Sequence, residues 1–237
     1  DQTQTNANGY FEFLNLPDGN YILTATSTNQ HGGTNSNDAL AVMKDFVGIQ
    51  YLNGINKRAA DVTNDGFINS NDALFIAQRF VGMINSFPAG DWLFDIDTVN
   101  ISGSNMNHDF NGLCFGDVDG SYTPVKEETG NASLQIRTHL KTRPDNTGNL
   151  IVPIYADFSA PIASASLIFN LPGGVKATDV IWFDSNGSFL FNQTENQLRL
   201  SWFSVIPLDI RHNDILAELH LKCISPEYYG NDLFLDA

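Results

Sequence analysis

Residues 35 to 49, NSNDALAVMKDFVGI, and residues 69 to 83, NSNDALFIAQRFVGM, are two copies of one segment. Nine of the fifteen positions are identical, at an offset of 34 residues. Each copy begins with polar residues suited to an N-cap, continues with apolar residues at helical spacing and ends in a glycine. The repeat therefore predicts two short amphipathic helices related by pseudo-symmetry. Helical solenoids have a similar period, but two copies cannot bury a solenoid core.

The segment before the second helix, residues 61 to 72 (DVTNDGFINSND), fits a twelve-residue calcium loop. Such a loop supplies side-chain oxygens at positions 1, 3, 5 and 9, a backbone carbonyl at position 7 and a carboxylate at position 12. The predicted ligands are Asp61, Thr63, Asp65, the carbonyl of Phe67, Asn69 and Asp72. The alternative is a turn rich in Asp and Asn that only caps the next helix.

A duplicated loop that ends in Asp and is followed by one helix resembles the dockerin family, over residues 27 to 83. The resemblance implies two loop–helix motifs packed together, a calcium ion in each, and docking onto a cohesin partner through the residues before position 12. Those partner-binding residues are Ser36, Asn37, Ser70 and Asn71. Because the two pairs are identical, the resemblance also implies that a partner binds in either of two orientations.

The first copy departs from this pattern. Counted back from position 12, its positions 1, 3 and 5 are Ser27, Asn29 and His31, none of them a carboxylate. Asn35 and Asp38 are retained, and residues 116 to 121 (GDVDGS) resemble the missing first half of a loop. We expect a split calcium site formed by Asp117, Asp119 and Ser121 together with Asn35 and Asp38. The alternative is a solvated turn that leads into a linker.

The region from residue 133 to 237 alternates apolar and polar residues, as in Leu150, Val152, Ile154 and Ala156. Turns rich in Gly, Pro, Asn and Asp separate such runs, which predicts a β-sandwich of six to eight strands. Its segments SLQIRTHL, NLIVPIYADFSAPIASASLIFNLPGGVKATDVIW and NQLRLSWFSVIPLDIRHNDILAELHLKC resemble the cohesin family. The resemblance implies more sequence after Ala237, so we expect the last strand of the sandwich to be absent from these residues or supplied elsewhere.

Residues 1 to 26 contain two strand-like runs, 10–14 and 21–26, around a Pro-Asp-Gly-Asn turn, which predicts a hairpin. Two strands are not stable alone, so they must pair with upstream residues or pack on the next part of the chain. The hairpin resembles the last one of an immunoglobulin-like β-domain of the Cna-B or X-module type. We therefore expect four parts: the end of such a domain (1–26), a dockerin-like module (27–123), a linker (124–132) and a cohesin-like β-sandwich (133–237).

Composition excludes several classes of function. The net charge of −15 would repel nucleic acid and anionic membranes. Asp and Asn, at 21 and 26 residues against 6 Glu, favour turns and calcium sites over helices. The sequence opens with the polar residues DQTQTNANG and not with a basic-then-apolar pattern, so we expect either a signal that has been removed or an internal piece of a longer protein. Cys114 and Cys223 are expected to be separate thiols, with pairing as the alternative.

No pattern of catalytic residues emerges. The five histidines lie in separate segments without zinc spacing, and neither a G-x-S-x-G elbow nor a phosphate-binding loop is present. Trp92, Trp182 and Trp202 could stack on sugars, although core packing is the commoner role. We expect a mainly β, multi-module, non-enzymatic protein of the bacterial surface or a secreted scaffold, which docks proteins and is stabilised by calcium. The alternative is a carbohydrate-binding surface protein in which the dockerin-like part is a rigid spacer.

Overall fold

A computed structural model of the chain describes residues 1–122, 136–138, 144 and 148–224. The helices of this part are α1 (Ser36–Phe46), α2 (Gly54–Ala60) and α3 (Ser70–Phe80). Its strands are β1 (Gly19–Leu23), β2 (Trp92–Phe94), β3 (Asp97–Ile101), β4 (Gly112–Cys114), β5 (Ile136–Thr138), β6 (Asn149–Ala156), β7 (Ala160–Asn170), β8 (Val175–Trp182), β9 (Ser188–Thr194), β10 (Gln197–Ile210) and β11 (Ile215–Cys223). The mainly β fold class is confirmed.

The two repeats form α1 and α3, as predicted. Each begins with a capping box, in which the side chains of Asn35 and Asp38, or of Asn69 and Asp72, satisfy N–H groups of the first turn. The two helices pack against each other around small and branched residues that are fully buried: Ala39, Val42, Ala73, Ile76 and Ala77. The sequence pattern does not predict α2, which has seven residues.

The C-terminal region is a sandwich of two antiparallel sheets. One sheet has the strand order β7-β10-β9 and the other β5-β6-β11-β8. The inward-facing residues of both sheets form its core, in which Trp182 and Trp202 stack with their ring centroids 5.6 Å apart. The alternation predicted along β6 is present, because Leu150, Val152, Ile154 and Ala156 are all buried.

A second core joins the helices to the sandwich. Its sandwich members lie on the outer face of the β7-β10-β9 sheet: Ala163, Leu190, Phe203 and Val205. They pack with residues of α1 and α3, among them Leu40 and Ile76. The helical module therefore lies on one sheet of the sandwich, and we call this contact the clasp.

The predicted N-terminal hairpin is wrong. Residues 10–14 form no strand, and β1 pairs instead with β3, in a register that sets Tyr21 opposite Val99. The predicted strand-like run 21–26 overlaps β1 only at residues 21–23, and the partner residues lie 74 to 82 positions further along the chain. The assignment of residues 1–26 to an immunoglobulin-like domain stays a prediction.

Other expectations concern the chain ends and the cysteines. Cys114 and Cys223 are both buried free thiols, so the prediction of separate thiols is confirmed. The predicted linker, residues 124–132, and the residues after 224 lie outside the described part of the chain. No helix in the described part is long and apolar enough to cross a membrane.

Candidate calcium sites and docking face

The contiguous loop, residues 61–72, is folded around two carboxylates. Asp61 accepts hydrogen bonds from the backbone N–H groups of Asp65 (3.1 Å) and Gly66 (2.9 Å). Asp72 accepts from the N–H (3.1 Å) and the hydroxyl (2.9 Å) of Thr63. The first and last ligand positions thus hold the loop closed, and Gly66 has the positive φ of +86° that the bend requires.

Residues 117–122 repeat the first half of that geometry. Asp117 accepts from the N–H groups of Ser121 (3.0 Å) and Tyr122 (3.1 Å), four and five residues onward, as Asp61 does. The Ser121 hydroxyl also donates to Asp117, at 3.1 Å. This segment therefore has the local fold of a half loop.

The second half of this loop is supplied by the start of α1. Asp38 accepts from the N–H groups of Val118 (2.9 Å) and Asp119 (3.3 Å), and its other oxygen accepts from Asn35, at 2.9 Å. Asp72 binds the equivalent atoms of Thr63 and Asn69. Carboxylate oxygens of Asp38, Asp117 and Asp119 lie within 4.8 Å of one another. The structure thus brings together the residues expected to form the split site: Asn35, Asp38, Asp117, Asp119 and Ser121.

A pair of glycines lets these segments approach. A Cβ atom on Gly33 would overlap the carboxyl group of Asp117, and one on Gly32 would overlap the ring of Tyr122. Gly33 also has a φ of +83°, which side-chain-bearing residues rarely adopt. Counting back from Asp38 assigns Asn29 and His31 to ligand positions of the first loop, but both bond to residues outside the split site. The His31 ring bonds the carbonyl of Phe115 at 2.7 Å, and the backbone carbonyl of Asn29 accepts from the Trp92 indole.

The electrostatics of the split site favour a cation. Asp38 and Asp117 are fully buried, and none of the salt bridges in the described part of the chain includes either of them or Asp119. Burial, with repulsion from Asp119 and Asp117, raises the pKa of Asp38 to about 8. Burial likewise raises the pKa of Asp117 to about 6 and also raises that of Asp72. Ionised carboxylates so crowded need a counter-charge.

The residues fit calcium in chemical type. Calcium is a hard cation that binds carboxylate, amide, hydroxyl and carbonyl oxygens, which both sites offer. At the contiguous loop it would be held by Asp61, Thr63, Asp65, Phe67, Asn69 and Asp72, and at the split site by Asn35, Asp38, Asp117, Asp119 and Ser121. When bound, it supplies positive charge that stabilises the gathered carboxylates.

Ser36, predicted to bind a partner, contacts the sandwich of its own chain. It is fully buried, its N–H donates to the Ser166 hydroxyl at 3.0 Å, and its hydroxyl donates to the Ala165 carbonyl at 2.8 Å. The Ser36 and Ser201 hydroxyls are also 2.8 Å apart. Asn37, in contrast, is exposed, and its amide donates to Asp119 at 3.1 Å.

The equivalent residues of the second repeat, Ser70 and Asn71, are exposed. Leu40 of α1 is 3% exposed, whereas its counterpart Leu74 of α3 is 38% exposed. Of the two faces related by the repeat, the one that includes the start of α1 is therefore covered by the sandwich.

The end of α3 forms the other edge of the clasp. Arg199 donates to the carbonyl of Phe80 and Asn192 to that of Val81, both at 3.1 Å. These bonds satisfy carbonyls that a helix end leaves without internal partners, and the Arg charge complements the helix dipole. Sequence reasoning missed Arg199, Asn192, Ser166 and Ser201. The available signal was the run of alternate polar residues Gln197, Arg199 and Ser201 in β10.

The tryptophans are packing residues. Trp182 and Trp202 are buried in the sandwich core, and Trp92 stacks on Phe94 with a centroid distance of 6.0 Å. The geometry thus gives Trp182 and Trp202 no open ring face for a sugar.

Residues 28–81 match the family model described as Dockerin type I domain. Solved structures similar to the chain include a non-cellulosomal cohesin from the hyperthermophilic archaeon Archaeoglobus fulgidus, with 15% identity and a TM-score of 0.33, covering 44% of this chain and 75% of that one. Another is a cohesin module from a Clostridium perfringens ATCC13124 family 33 glycoside hydrolase, with 10% identity and a TM-score of 0.34, covering 44% and 91%. No curated protein matches the sequence.

The family match confirms the dockerin-like module predicted from the repeat. The β-sandwich predicted after it is present in the strands described above. The match ends at residue 81, so Asp117, Asp119 and Ser121 lie outside it. The split site therefore combines residues inside and outside the family segment.

Proposed function

We propose that this chain is a calcium-stabilised docking module of an extracellular scaffold or surface protein, in which the dockerin-like module docks on the sandwich of its own chain. The observation that carries the proposal is the buried network of Ser36 with Ser166, Ser201 and the Ala165 carbonyl. Ser36 is a residue that the family resemblance assigns to partner binding, and here it meets a sheet face.

The composition of the clasp supports a specific contact. Apolar residues from both sides, including Leu40 and Phe203, are removed from water, and hydrogen bonds lie at both edges, around Ser36 and around Arg199. Buried apolar area supplies the driving force, while polar groups that must find partners fix the orientation. Such a contact joins two modules into one body that transmits mechanical load.

Calcium has a structural role in this proposal. Its binding stabilises the folded module, because the unfolded chain has no assembled ligand set. Extracellular calcium sites are weak, with Kd of about 10⁻⁴–10⁻³ M, and fill where calcium is plentiful. In this proposal the protein is secreted and non-enzymatic, and its partner is another protein module.

A matched pair of variants tests the docking. Ser201→Arg places a charge beneath α1, whereas Ser188→Arg places one on an exposed position of the neighbouring strand. With saturating calcium, we expect small-angle scattering to give a larger radius of gyration for Ser201→Arg, and hydrogen exchange in β10 to rise at least tenfold. Ser188→Arg should match the wild type. An unchanged radius and exchange rate for Ser201→Arg would contradict the proposal, and ultracentrifugation on dilution would detect docking between chains.

A further inference from the structure

The first turn of α1 carries two functions on adjacent residues. Asn35 and Asp38 belong to the split site, and Ser36, between them, is bound to the sandwich. The N–H that Ser36 donates to Ser166 is one of those that a helix start leaves without an internal partner. Its direction depends on the turn that Asn35 and Asp38 hold through their capping box.

The contiguous loop has no comparable contact. Among the described residues, the side-chain hydrogen bonds of Asp61, Thr63, Asp65 and Asp72 all stay within residues 61–72. Its helix reaches the sandwich through the carbonyls of Phe80 and Val81. Those lie eight or more residues from Asp72, or roughly 12 Å along the helix at 1.5 Å per residue.

We infer that the two calcium sites have different roles: the split site controls whether the module docks on the sandwich, and the contiguous loop only stabilises the module. This inference rests on the proposed function and names its regulation. Without a cation, Asp38, Asp117 and Asp119 repel one another at the turn that presents Ser36. Calcium bound at the contiguous loop relieves repulsion among the carboxylates of that loop, and it leaves the turn at Ser36 unchanged.

Such a coupling is reciprocal. If calcium at the split site strengthens docking by some factor, docking strengthens calcium binding there by the same factor, typically about 5- to 150-fold. The contiguous loop should show a factor near one. When the split site is empty and the contiguous loop is filled, the clasp therefore opens, which exposes the β7-β10-β9 face while the helices stay folded.

The experiment compares Asp119→Asn with Asp65→Asn in the full chain. Both residues are exposed and both occupy a ligand position, one in each site. Hydrogen exchange of β10 peptides reports docking, and far-ultraviolet circular dichroism reports the helices. At a calcium concentration that saturates the wild type, we expect Asp119→Asn to raise β10 exchange at least tenfold with the helical signal retained, and Asp65→Asn to raise it less than threefold. Equal increases would overturn the inference.

A second experiment measures the same coupling through calcium affinity. It stays informative if Asp119→Asn or Asp65→Asn loses its helices. Terbium luminescence and calcium calorimetry give the affinities of the two sites in Ser201→Arg and in the control Ser188→Arg. We expect Ser201→Arg to lower the calcium affinity of one site at least fivefold and to leave that of the other site within twofold. If the weakened site is lost in Ser201→Arg/Asp119→Asn, it is the split site. No change at either site would overturn the inference. If calcium-saturated wild type exchanges β10 amides as fast as Ser201→Arg does, the proposed docking itself fails, which is a distinct result.

Discussion

The carboxylate of Asp38 accepts a hydrogen bond from the backbone N–H of Val118 at 2.9 Å, across 80 residues of sequence. Asp38 also accepts from the N–H of Asp119 at 3.3 Å, across 81 residues. The bond equivalent to this second one, from Thr63 to Asp72, spans nine residues. The chain thus builds the same local geometry once from contiguous residues and once from two distant segments. Closing the longer loop costs more entropy, although only logarithmically with length.

Removing the carboxylates of Asp117 and Asp119 should abolish one calcium site. In Asp117→Ala/Asp119→Ala we expect calorimetry to give one bound calcium where the wild type binds two, because the remaining Asn35, Asp38 and Ser121 supply too few oxygens. The control is Asp209→Asn, at an exposed position of the sandwich. An unchanged stoichiometry of two would show that Asp117 and Asp119 are not needed to hold a metal.

Gly33→Ala should weaken the split site. Both Gly33 and the control Gly90 have a positive φ, so alanine at either position costs about 1–3 kcal/mol of backbone strain. A Cβ at Gly33 also meets the Asp117 carboxyl group, whereas one at Gly90 meets no atom within 4 Å. We expect calorimetry to show a calcium affinity at least tenfold lower in Gly33→Ala and unchanged in Gly90→Ala. Equal affinities would mean that the close approach of Gly33 and Asp117 does not matter for binding.

The two repeats should respond differently to one substitution. Ser36→Arg buries an unpaired charge, which costs several kcal/mol and should open the clasp, while Ser70→Arg places the same side chain in water. We expect β10 exchange to rise at least tenfold in Ser36→Arg and to stay at the wild-type rate in Ser70→Arg. If both variants behaved alike, the module would be exchanging between its two pseudo-equivalent faces.

Local pattern explains what the sequence could predict. The loop at residues 61–72 holds all of its ligands in one stretch, and the Asp-Val-Asp spacing at 117–119 matches Asp-Val-Thr at 61–63. Partner choice is a tertiary property, which is why the sequence does not reveal the pairing of β1 with β3. Likewise, alternation along β10 shows that Arg199 and Ser201 face outward but not that helices cover them. The short α2 has no apolar repeat long enough to reveal it.

The pH dependence of stability should reverse sign when calcium is added. Burial raises the pKa of Asp38 to about 8 and that of Asp117 to about 6, above the 3.8 of an exposed Asp. Without calcium, the folded state therefore binds protons that the unfolded state releases between pH 4 and 8, so stability falls as pH rises. With saturating calcium, protons compete with the metal for the same oxygens, so stability rises over that range.

Thermal unfolding followed by circular dichroism measures both slopes. In EDTA we expect the Tm to fall by about 5 °C or more from pH 5 to pH 8, since 1 kcal/mol corresponds to roughly 2–4 °C in a domain of this size. In excess calcium the Tm should rise over the same interval. Asp38→Asn removes the group with the largest shift, so it should flatten the slope in EDTA, whereas Asp209→Asn should leave it unchanged. Parallel slopes with and without calcium would show that these buried carboxylates are not the calcium ligands.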